Sequence, residues 1–536
     1  MLTTLRLCSV LLAIAGLTSS DVYQYESVIP ANTADPKSKP GTAYLWIPPE
    51  TPRIRGLLLG GWQDFVDSEV IRSACASVGV GILIGTRLDI GDHQVVSGQA
   101  QFDATLQDLA RQSGHPELVQ VPFLPYGWSA GTVWSTRFAF AFPERCFAAL
   151  TFKGGFCVSA SVPPPGTDTS RVSHLPWLHI QGQFEEFGPG PSGVLRDHED
   201  RSTGWNLANT NHPAFRAANP DLLIGLIVDA GATHMGWNER LYPLVAAFIT
   251  GSARLRLPAD DQSGLRPVQV ADGYLMDKEL AAPRFPLAPA KDFTGKPGEA
   301  HWFPDRTMAE ATAALHRNLG KKPQYATILD GKGAPLDVGH DMRFKWTPVF
   351  TGADTFGVKP GFNTTFVPKK YPPQEGPIGH APGVVLARPT NGCLEQVDAT
   401  TFRLAYSPRQ GLGWINVYHP GDEQFRYAEQ IVMPRISTAT GSPQTITFTP
   451  PATATAATMP LTLAATSSAG LLVRFSVVSG PARIAAGNRL ELAEVPRGAP
   501  RPLRIKVAAW QLGSRVAPLI AAAESVLAEI RVTDAP

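Results

Sequence analysis

The sequence predicts an α/β domain with a mostly parallel sheet and helices on both faces, followed by a β-rich C-terminal region. Three observations lead to this fold class. The chain has 536 residues, more than one hydrophobic core supports, so several domains are expected. Short apolar runs alternate with helix-like segments from about residue 43 to 249. From about residue 384, closely spaced strand-like segments replace that alternation.

Seven short apolar runs are predicted strands of the first domain, and four amphipathic stretches are its predicted helices. The predicted strands are 43–47, 56–59, 81–85, 121–126, 147–152, 177–181 and 222–228, and the predicted helices are 67–77, 102–112, 132–142 and 239–249. Nearly continuous apolar strands alternating with helices indicate a parallel sheet that is covered on both faces. In such sheets, sites form at the carboxyl ends of the strands.

The second half differs in composition. Residues 255–380 are rich in Pro and Gly and contain one predicted helix, 306–319, which Asp305 begins and Gly320 ends. The later predicted strands are 402–406, 413–418, 444–448, 460–465, 471–478, 489–492 and 503–509. Strands at such short intervals, with turn residues between them, favour an antiparallel β-sandwich.

The first twenty residues have the layout of a secretory signal peptide. One cation, Arg6, precedes an apolar run over 7–17 and then small residues. That run is too short for a membrane helix, and no later stretch is long and apolar enough. We therefore expect a secreted or periplasmic protein without an integral membrane segment. The predicted divisions are a signal peptide at 1–20, an α/β domain at 21–254, a connecting region at 255–383, a β-rich segment at 384–437 and a C-terminal module at 438–536.

Charge and cysteine content narrow the function classes. The net charge of +1 gives no electrostatic case for nucleic-acid binding. Beyond the signal, four cysteines remain: Cys75, Cys146, Cys157 and Cys393. An oxidising compartment permits disulfides, for which Cys146 with Cys157 is the local candidate and buried free thiols are the alternative. No Cys or His spacing is typical of a zinc site, so neither a metal nor another cofactor is expected.

The motif with the clearest chemistry is GWSAG at residues 127–131, a GxSxG pattern centred on Ser129. It directly follows the predicted strand 121–126 and precedes the predicted helix 132–142. A nucleophile elbow requires this setting, because the sharp turn from strand to helix needs small flanking residues and presents the serine at the sheet edge. We predict that Ser129 is a catalytic nucleophile.

A serine nucleophile needs a histidine as base, and the histidine needs a carboxylate partner. His234 follows the last predicted strand of the domain, 222–228. Glu185 and Glu186 follow the preceding predicted strand, 177–181. The order serine, acid, histidine is the one expected of an α/β-hydrolase.

These motifs together resemble those of α/β-hydrolases of the secreted esterase and dienelactone-hydrolase-like kind, over residues of about 43 to 250. In that family the acid commonly stands three residues after a strand-end glycine, which implies Glu185, counted from Gly182. Adjacent Glu186 remains the alternative, and glutamate replaces the more common aspartate. The resemblance gives no role to the chain beyond this domain.

The resemblance also implies two oxyanion donors and an aromatic acyl site. One donor is the backbone N–H of Ala130, which follows the nucleophile. The other comes from the segment LLLGGWQ at 57–63, which resembles the glycine-aromatic oxyanion loop of polyester- and lipid-cleaving relatives. This assigns the N–H of Trp62, with Gln63 as the alternative. The side chains of Trp62 and Trp128 are the predicted substrate contacts.

The C-terminal segment 470–482 resembles immunoglobulin-like modules that are appended to secreted bacterial enzymes. Such modules act as spacers or bind surfaces and polysaccharides. Trp510 is the only tryptophan after Trp414, so no aromatic row indicates a carbohydrate platform. A spacer is therefore favoured over a binding module.

The function predicted from these residues is cleavage of carboxylic esters through an acyl-enzyme. The substrate is a small or polymeric ester, with acetylated sugars, feruloyl esters, lipids and polyesters all open. One alternative is a serine peptidase or amidase on the same fold, because the triad does not set the leaving group. The other is a catalytically silent hydrolase-like protein that serves in adhesion or binding.

Overall fold

A computed structural model describes most of the chain. The described residues are 22–32, 36, 38–86, 98–156, 168–184, 204–234, 239–259, 264–336, 344–367, 376–390, 393–409 and 413–534. The predicted signal peptide, Cys157, Glu185 and Glu186 lie outside the described residues. In the described part of the chain, no helix combines the length and hydropathy that a membrane crossing requires.

One eight-stranded sheet organises the first half. Its strands are β1 (Tyr25–Ile29), β2 (Gly41–Trp46), β3 (Gly56–Gly60), β4 (Val80–Gly85), β5 (Phe123–Trp128), β6 (Ala149–Phe152), β7 (Pro176–Phe184) and β8 (Leu223–Thr233). Their spatial order is β1-β2-β4-β3-β5-β6-β7-β8. Strands β3 to β8 are mutually parallel, whereas β2 runs antiparallel to both β1 and β4. The prediction of a mostly parallel sheet is confirmed.

Helices cover both faces of this sheet. They are α1 (Glu69–Ser77), α2 (Gln99–Ser113), α3 (Gly131–Ala141), α4 (Gly204–Ala218), α5 (Tyr242–Arg256) and α6 (Arg306–His316). One apolar core includes Ile71 of α1 and Phe248 of α5, and a second includes Leu109 of α2 and Phe138 of α3. The strands between these cores are nearly continuously apolar because both faces are buried. This is the α/β-hydrolase fold predicted from the sequence.

The rest of the chain is dominated by short strands. They are β9 (Tyr274–Met276), β10 (Ala288–Pro289), β11 (His301–Phe303), β12 (Ala326–Ile328), β13 (Phe344–Trp346), β14 (Thr355–Gly357), β15 (Pro360–Phe362), β16 (Leu386–Pro389), β17 (Leu394–Gln396), β18 (Thr401–Leu404), β19 (Ile415–His419), β20 (Ala428–Pro434), β21 (Ile446–Phe448), β22 (Thr453–Thr455), β23 (Leu461–Thr462), β24 (Ala465–Ser467), β25 (Arg474–Ser479), β26 (Ala482–Ala485), β27 (Arg489–Leu492), β28 (Leu503–Trp510) and β29 (Val526–Thr533). They form small, mainly antiparallel sheets, so the prediction of a β-rich second half is confirmed.

Strand pairing joins the predicted connecting region to the predicted β-rich segment. β13 pairs with β20, and β14 pairs with β18, on either side of residue 384. Two of the pairs, β13 with β20 and β22 with β29, are parallel, which departs from a purely antiparallel sandwich. The strands after residue 445 enclose a core of their own that includes Phe475, Leu490 and Ile505.

The cysteines correct one expectation. Cys75 and Cys146 are free and fully buried, so the local pairing of Cys146 with Cys157 is wrong and the alternative of buried thiols holds for these two. Burial raises the pKa of the Cys75 thiol to about 12 and raises that of Cys146 further. Thiols held in this protonated form are poor nucleophiles, so their contribution is packing.

Candidate active site

The GxSxG segment forms a tight turn between β5 and α3. Ser129 adopts a left-handed conformation with φ 53°, an uncommon backbone state for a residue with a side chain. Its N–H donates to the Phe152 carbonyl of β6 at 2.9 Å, which fixes the turn against the sheet. A Cβ at Gly127 would lie 2.3 Å from the Gly131 carbonyl oxygen. Only glycine therefore fits at position 127, and the half-buried Ser129 is presented at the carboxyl end of β5.

His234 directly follows β8 at the same edge of the sheet. Its Nε2 lies 2.8 Å from the Ser129 Oγ, within hydrogen-bond distance. His234 is 3% exposed, so its ring is shielded from bulk water. With the proton on Nδ1, Nε2 accepts from the Ser129 hydroxyl, which is the arrangement for removing that proton. The structure thus brings together the predicted nucleophile and the predicted base.

Trp128, the last residue of β5, packs against His234. The two rings are stacked, with centroids 5.5 Å apart and planes at 27°. The Trp128 indole N–H also donates to the His234 carbonyl at 3.2 Å. Its other ring neighbour is Trp414, in an edge contact at 5.9 Å. Trp128, predicted as a substrate contact, therefore also holds the imidazole in place.

The two candidate acids, Glu185 and Glu186, lie outside the described residues, but the strand before them is informative. β7 ends at Phe184, which is paired with Thr233 at the end of β8. The chain therefore leaves β7 next to the residue that precedes His234. In the sequence, the predicted acids thus directly follow a strand whose end lies beside the end of β8.

The predicted oxyanion loop follows β3. Gly61 is fixed because the Tyr126 hydroxyl donates to its carbonyl oxygen. The Trp62 indole N–H donates to Asp67 at 2.7 Å, so this ring is anchored to a buried carboxylate. Gln63 has an extended backbone and precedes a 3-10 turn over Asp64–Asp67. The other predicted donor, Ala130, is exposed where α3 begins.

One side chain that the sequence reasoning missed is Lys153, directly after β6. It is fully buried, and its backbone is left-handed with φ 55°. Its Nζ donates to the carbonyl of Thr233, the residue before His234. Two glycines follow it in the sequence, and a Cβ at Gly154 would lie 2.9 Å from the Ser129 carbonyl oxygen. A lysine followed by two glycines after a predicted strand was the only sequence signal for this contact.

No His, Cys, Asp or Glu cluster within the described ranges has the geometry to hold a metal ion. The contacts described above join a serine hydroxyl, an imidazole and an indole ring. A hydroxyl within hydrogen-bond distance of an imidazole nitrogen is an arrangement in which a proton can pass between the two groups.

Comparison with known proteins finds partial similarity, at low sequence identity, to solved structures. No protein-family model and no curated protein matches the sequence. The solved dienelactone hydrolase from Anabaena variabilis is 14% identical with a TM-score of 0.26, covering 44% of this chain and 98% of that chain. The esterase domain of a Rhodothermus marinus protein is 17% identical with a TM-score of 0.27, covering 43% and 97%. A fungal esterase from Rhizomucor miehei is 11% identical with a TM-score of 0.28, covering 44% and 86%.

Proposed function

We propose that this protein is a serine hydrolase that cleaves carboxylic esters through an acyl-enzyme. The observation that carries the proposal is the 2.8 Å contact between the Ser129 Oγ and the His234 Nε2, with Ser129 held in a strained strand-to-helix turn. Strain of this kind persists where the surrounding structure enforces it and is concentrated at functional sites. A serine with only a structural role in a turn has no need of this histidine contact.

The reaction follows from the positions of the groups. The Ser129 oxygen attacks the ester carbonyl carbon while its proton passes to the His234 Nε2. The backbone N–H groups of Ala130 and Trp62, with Gln63 as the alternative to Trp62, stabilise the negative oxygen of the tetrahedral intermediate. His234 then protonates the departing alcohol, and water, activated by the same imidazole, hydrolyses the acyl-serine. Glu185, with Glu186 as the alternative, orients the imidazole and stabilises its cation.

We further propose that the enzyme is exported to the periplasm or the medium after removal of residues 1–20, on the strength of the N-terminal sequence. The predicted divisions at residues 254, 383 and 437 and the immunoglobulin-like character of the last module are part of the same proposal. Expression of the full chain with an epitope tag, followed by fractionation and determination of the mature N-terminus, tests the location and the cleavage site.

The test of the activity is turnover of short p-nitrophenyl esters together with labelling by a fluorophosphonate. Ser129→Ala is expected to abolish labelling and to lower kcat by about 10³-fold or more. Ser73→Ala is the matched control, because Ser73 is exposed on α1 and bonds only to Glu69 among the described contacts. A wild-type protein that neither turns over esters nor labels at Ser129 would contradict the proposal.

A panel of substrates distinguishes an esterase from a peptidase or amidase. Acetylated sugars, feruloyl esters, lipids, polyesters and the matching amides are compared by kcat/KM. Ester hydrolysis with no measurable amide hydrolysis supports the proposal. Amide hydrolysis with no measurable ester hydrolysis would contradict the proposal that the substrates are esters. Glu185→Gln and Glu186→Gln, measured on the best ester, assign the acid to the residue whose change lowers kcat more.

A further inference from the structure

The residue before the proposed base is held from two sides. Thr233 is 1% exposed. Its carbonyl accepts a hydrogen bond from the Nζ of Lys153, which directly follows β6 of the large sheet. Its N–H donates to the Glu429 Oε1 at 3.3 Å. The direction in which the chain enters His234 is therefore set by Lys153 on one side and by Glu429 on the other.

Glu429 comes from β20, in the β-rich half, 196 residues beyond Thr233 in the sequence. Its side chain is 1% exposed. Its Oε2 accepts from the Tyr427 hydroxyl at 2.9 Å and from the Asn416 amide at 3.4 Å. These bonds fix the carboxylate, so that Oε1 is presented to Thr233 in one orientation. A buried carboxylate needs such partners to persist.

The residues directly before β20 also contact the end of β8, which leads into His234. Gly231 has φ 81°, and a Cβ there would lie 1.9 Å from the Tyr427 carbonyl oxygen. The Gln183 Oε1 accepts from the Gly231 N–H at 2.9 Å and from the Arg426 guanidinium at 3.1 Å. The end of β8, which leads into His234, therefore packs closely against the residues at the start of β20.

We propose that Glu429 is a positioning residue for His234, acting through Thr233. The inference rests on the proposed hydrolase function. It makes the β-rich segment that contains β20 a part of the active site, and not only an attachment to it. Glu429 does not contact the reacting atoms; it holds the peptide before the imidazole so that Nε2 stays within bonding distance of Ser129.

The test is a graded set of full-length variants at Glu429 and its partner. Glu429→Ala removes the acceptor of the Thr233 N–H, and kcat is expected to fall by about 10- to 100-fold, because small displacements of a reacting group cost that much. KM is expected to change by less than about threefold. Glu429→Gln keeps an amide oxygen and is expected to restore part of kcat. Tyr427→Phe removes one bond to Glu429 and is expected to lower kcat by about two- to tenfold.

Gln430→Ala is the matched control on the same strand. Neighbouring side chains of a strand point to opposite faces, and the Gln430 amide donates to the Ile431 carbonyl. Its kcat is expected to stay within about twofold of wild type even if the melting temperature falls. Melting temperatures of all variants separate misfolding from mispositioning. If Glu429→Ala does not fold, the kcat values of Glu429→Gln and Tyr427→Phe test the positioning role.

The outcomes distinguish the two proposals. Wild-type turnover and Ser129 labelling, with unchanged kcat in folded Glu429→Gln, Glu429→Ala and Tyr427→Phe, would overturn the positioning role and leave the hydrolase intact. An equal loss of kcat in Gln430→Ala would also overturn the positioning role, since any disturbance of β20 would then lower kcat. A wild type that neither labels nor turns over esters overturns the hydrolase function and the positioning role with it.

Discussion

The two edges of the eight-stranded sheet are covered by later parts of the chain through different chemistry. A cluster of buried imidazoles lies between the β8 edge and the later chain, in addition to ionisable groups such as Glu429, whereas the described contacts of the β1 edge are mainly ion pairs and backbone hydrogen bonds. An imidazole with an ordinary pKa takes up a proton as the pH falls below about 6.5, whereas carboxylates and guanidinium groups stay ionised into mild acid. The two edges should therefore fail under different conditions.

At the β8 edge, α6 and β11 bring two histidines against the sheet. The His316 Nε2 accepts the N–H of Val228 on β8 at 2.8 Å. The His301 ring lies 5.4 Å from the His212 ring, which is 5.7 Å from the His179 ring of β7. All four side chains are fully buried. Burial lowers the pKa values of His179, His301 and His316 to about 3 and lowers that of His212 well below the ordinary value.

At the β1 edge, the C-terminal strands dock on charged partners. Arg72, 3% exposed, bonds to Asp67 at 3.2 Å and to Glu494 at 3.2 Å. Glu494 also accepts from the indole of Trp46 on β2. The Gly480 N–H donates to the Tyr23 carbonyl at 2.8 Å. Asp67 connects this edge to the predicted oxyanion loop, because it accepts from the Trp62 indole and pairs with Arg72. The β8 edge leads directly into His234.

The largest expected effect is a loss of stability in mild acid that starts at the β8 edge. The folded protein keeps His179, His301 and His316 neutral, while the unfolded chain binds a proton at each as the pH falls below about 6.5. The unfolded state then holds more protons, so the free energy of unfolding falls between pH 6.5 and about 3. The loss is about 2 kcal/mol for each of these histidines at pH 5.

Urea unfolding at pH 8, 6.5 and 5 measures this loss. Hydrogen exchange locates it: the Val228 amide should lose protection at pH 5 before the Gly480 amide does. Equal unfolding free energies at pH 8 and pH 5 would contradict the prediction. So would exchange that begins at the β1 edge.

A smaller effect is expected from breaking the β1 edge. Glu494→Ala leaves Arg72 and Trp46 without this acceptor and should cost about 2 kcal/mol, less than a fully buried pair because the Glu494 side chain is 25% exposed. The kcat of the folded enzyme should stay within about twofold of wild type, since the Asp67 contact to Trp62 is retained. Urea unfolding and ester turnover measure the two quantities.

Glu491→Ala is the control for that change. Glu491 pairs with exposed Arg489 and Arg483 in the same module, and surface pairs contribute less than about 1 kcal/mol. A drop in kcat for Glu494→Ala that matches the one expected for Glu429→Ala would remove the distinction between the two edges.

The features predicted best from the sequence are strands and turns whose conformation depends on residues close by in the chain. β5 lies within two residues of its predicted bounds, and β8 begins one residue after its predicted start but extends five residues beyond its predicted end. Apolar runs followed by turn residues can be recognised in short windows, which is why both strands were found. The turn at Ser129 was predictable for the same reason, since small residues on both sides of it are a local requirement. The contact between Ser129 and His234 follows once both residues stand at the carboxyl edge of one parallel sheet.

The elements that the sequence missed depend on distant partners. β1 is a five-residue edge strand whose pairing with β2 decides its conformation. α4 carries a polar segment and an internal Pro213, which weaken its helical pattern. Glu429 and Tyr427 reach the end of β8 because β20 packs beside it. No local pattern around Thr233 indicates a contact with a residue 196 positions later in the sequence. Tertiary packing of this kind overrides local propensity.

A further effect, at most as large as that of Glu494→Ala, is expected from one histidine and tests the chemistry of the β8 edge directly. Both ring nitrogens of His212 are buried without a hydrogen-bond partner among the described residues. His212→Phe keeps a planar ring of similar size, so at pH 8 the unfolding free energy should change by less than about 1.5 kcal/mol.

At pH 5 the same variant should gain up to about 2 kcal/mol relative to wild type, because its unfolded chain no longer binds the proton that His212 takes up. The difference between the two pH values cancels any packing change that Phe introduces, so urea unfolding at pH 8 serves as the internal control. A gain that is equal at both pH values would mean that the imidazole is not kept neutral by burial. The His212 imidazole would then contribute nothing to the pH dependence of the unfolding free energy, and this variant would give no support to a chemical difference between the two edges.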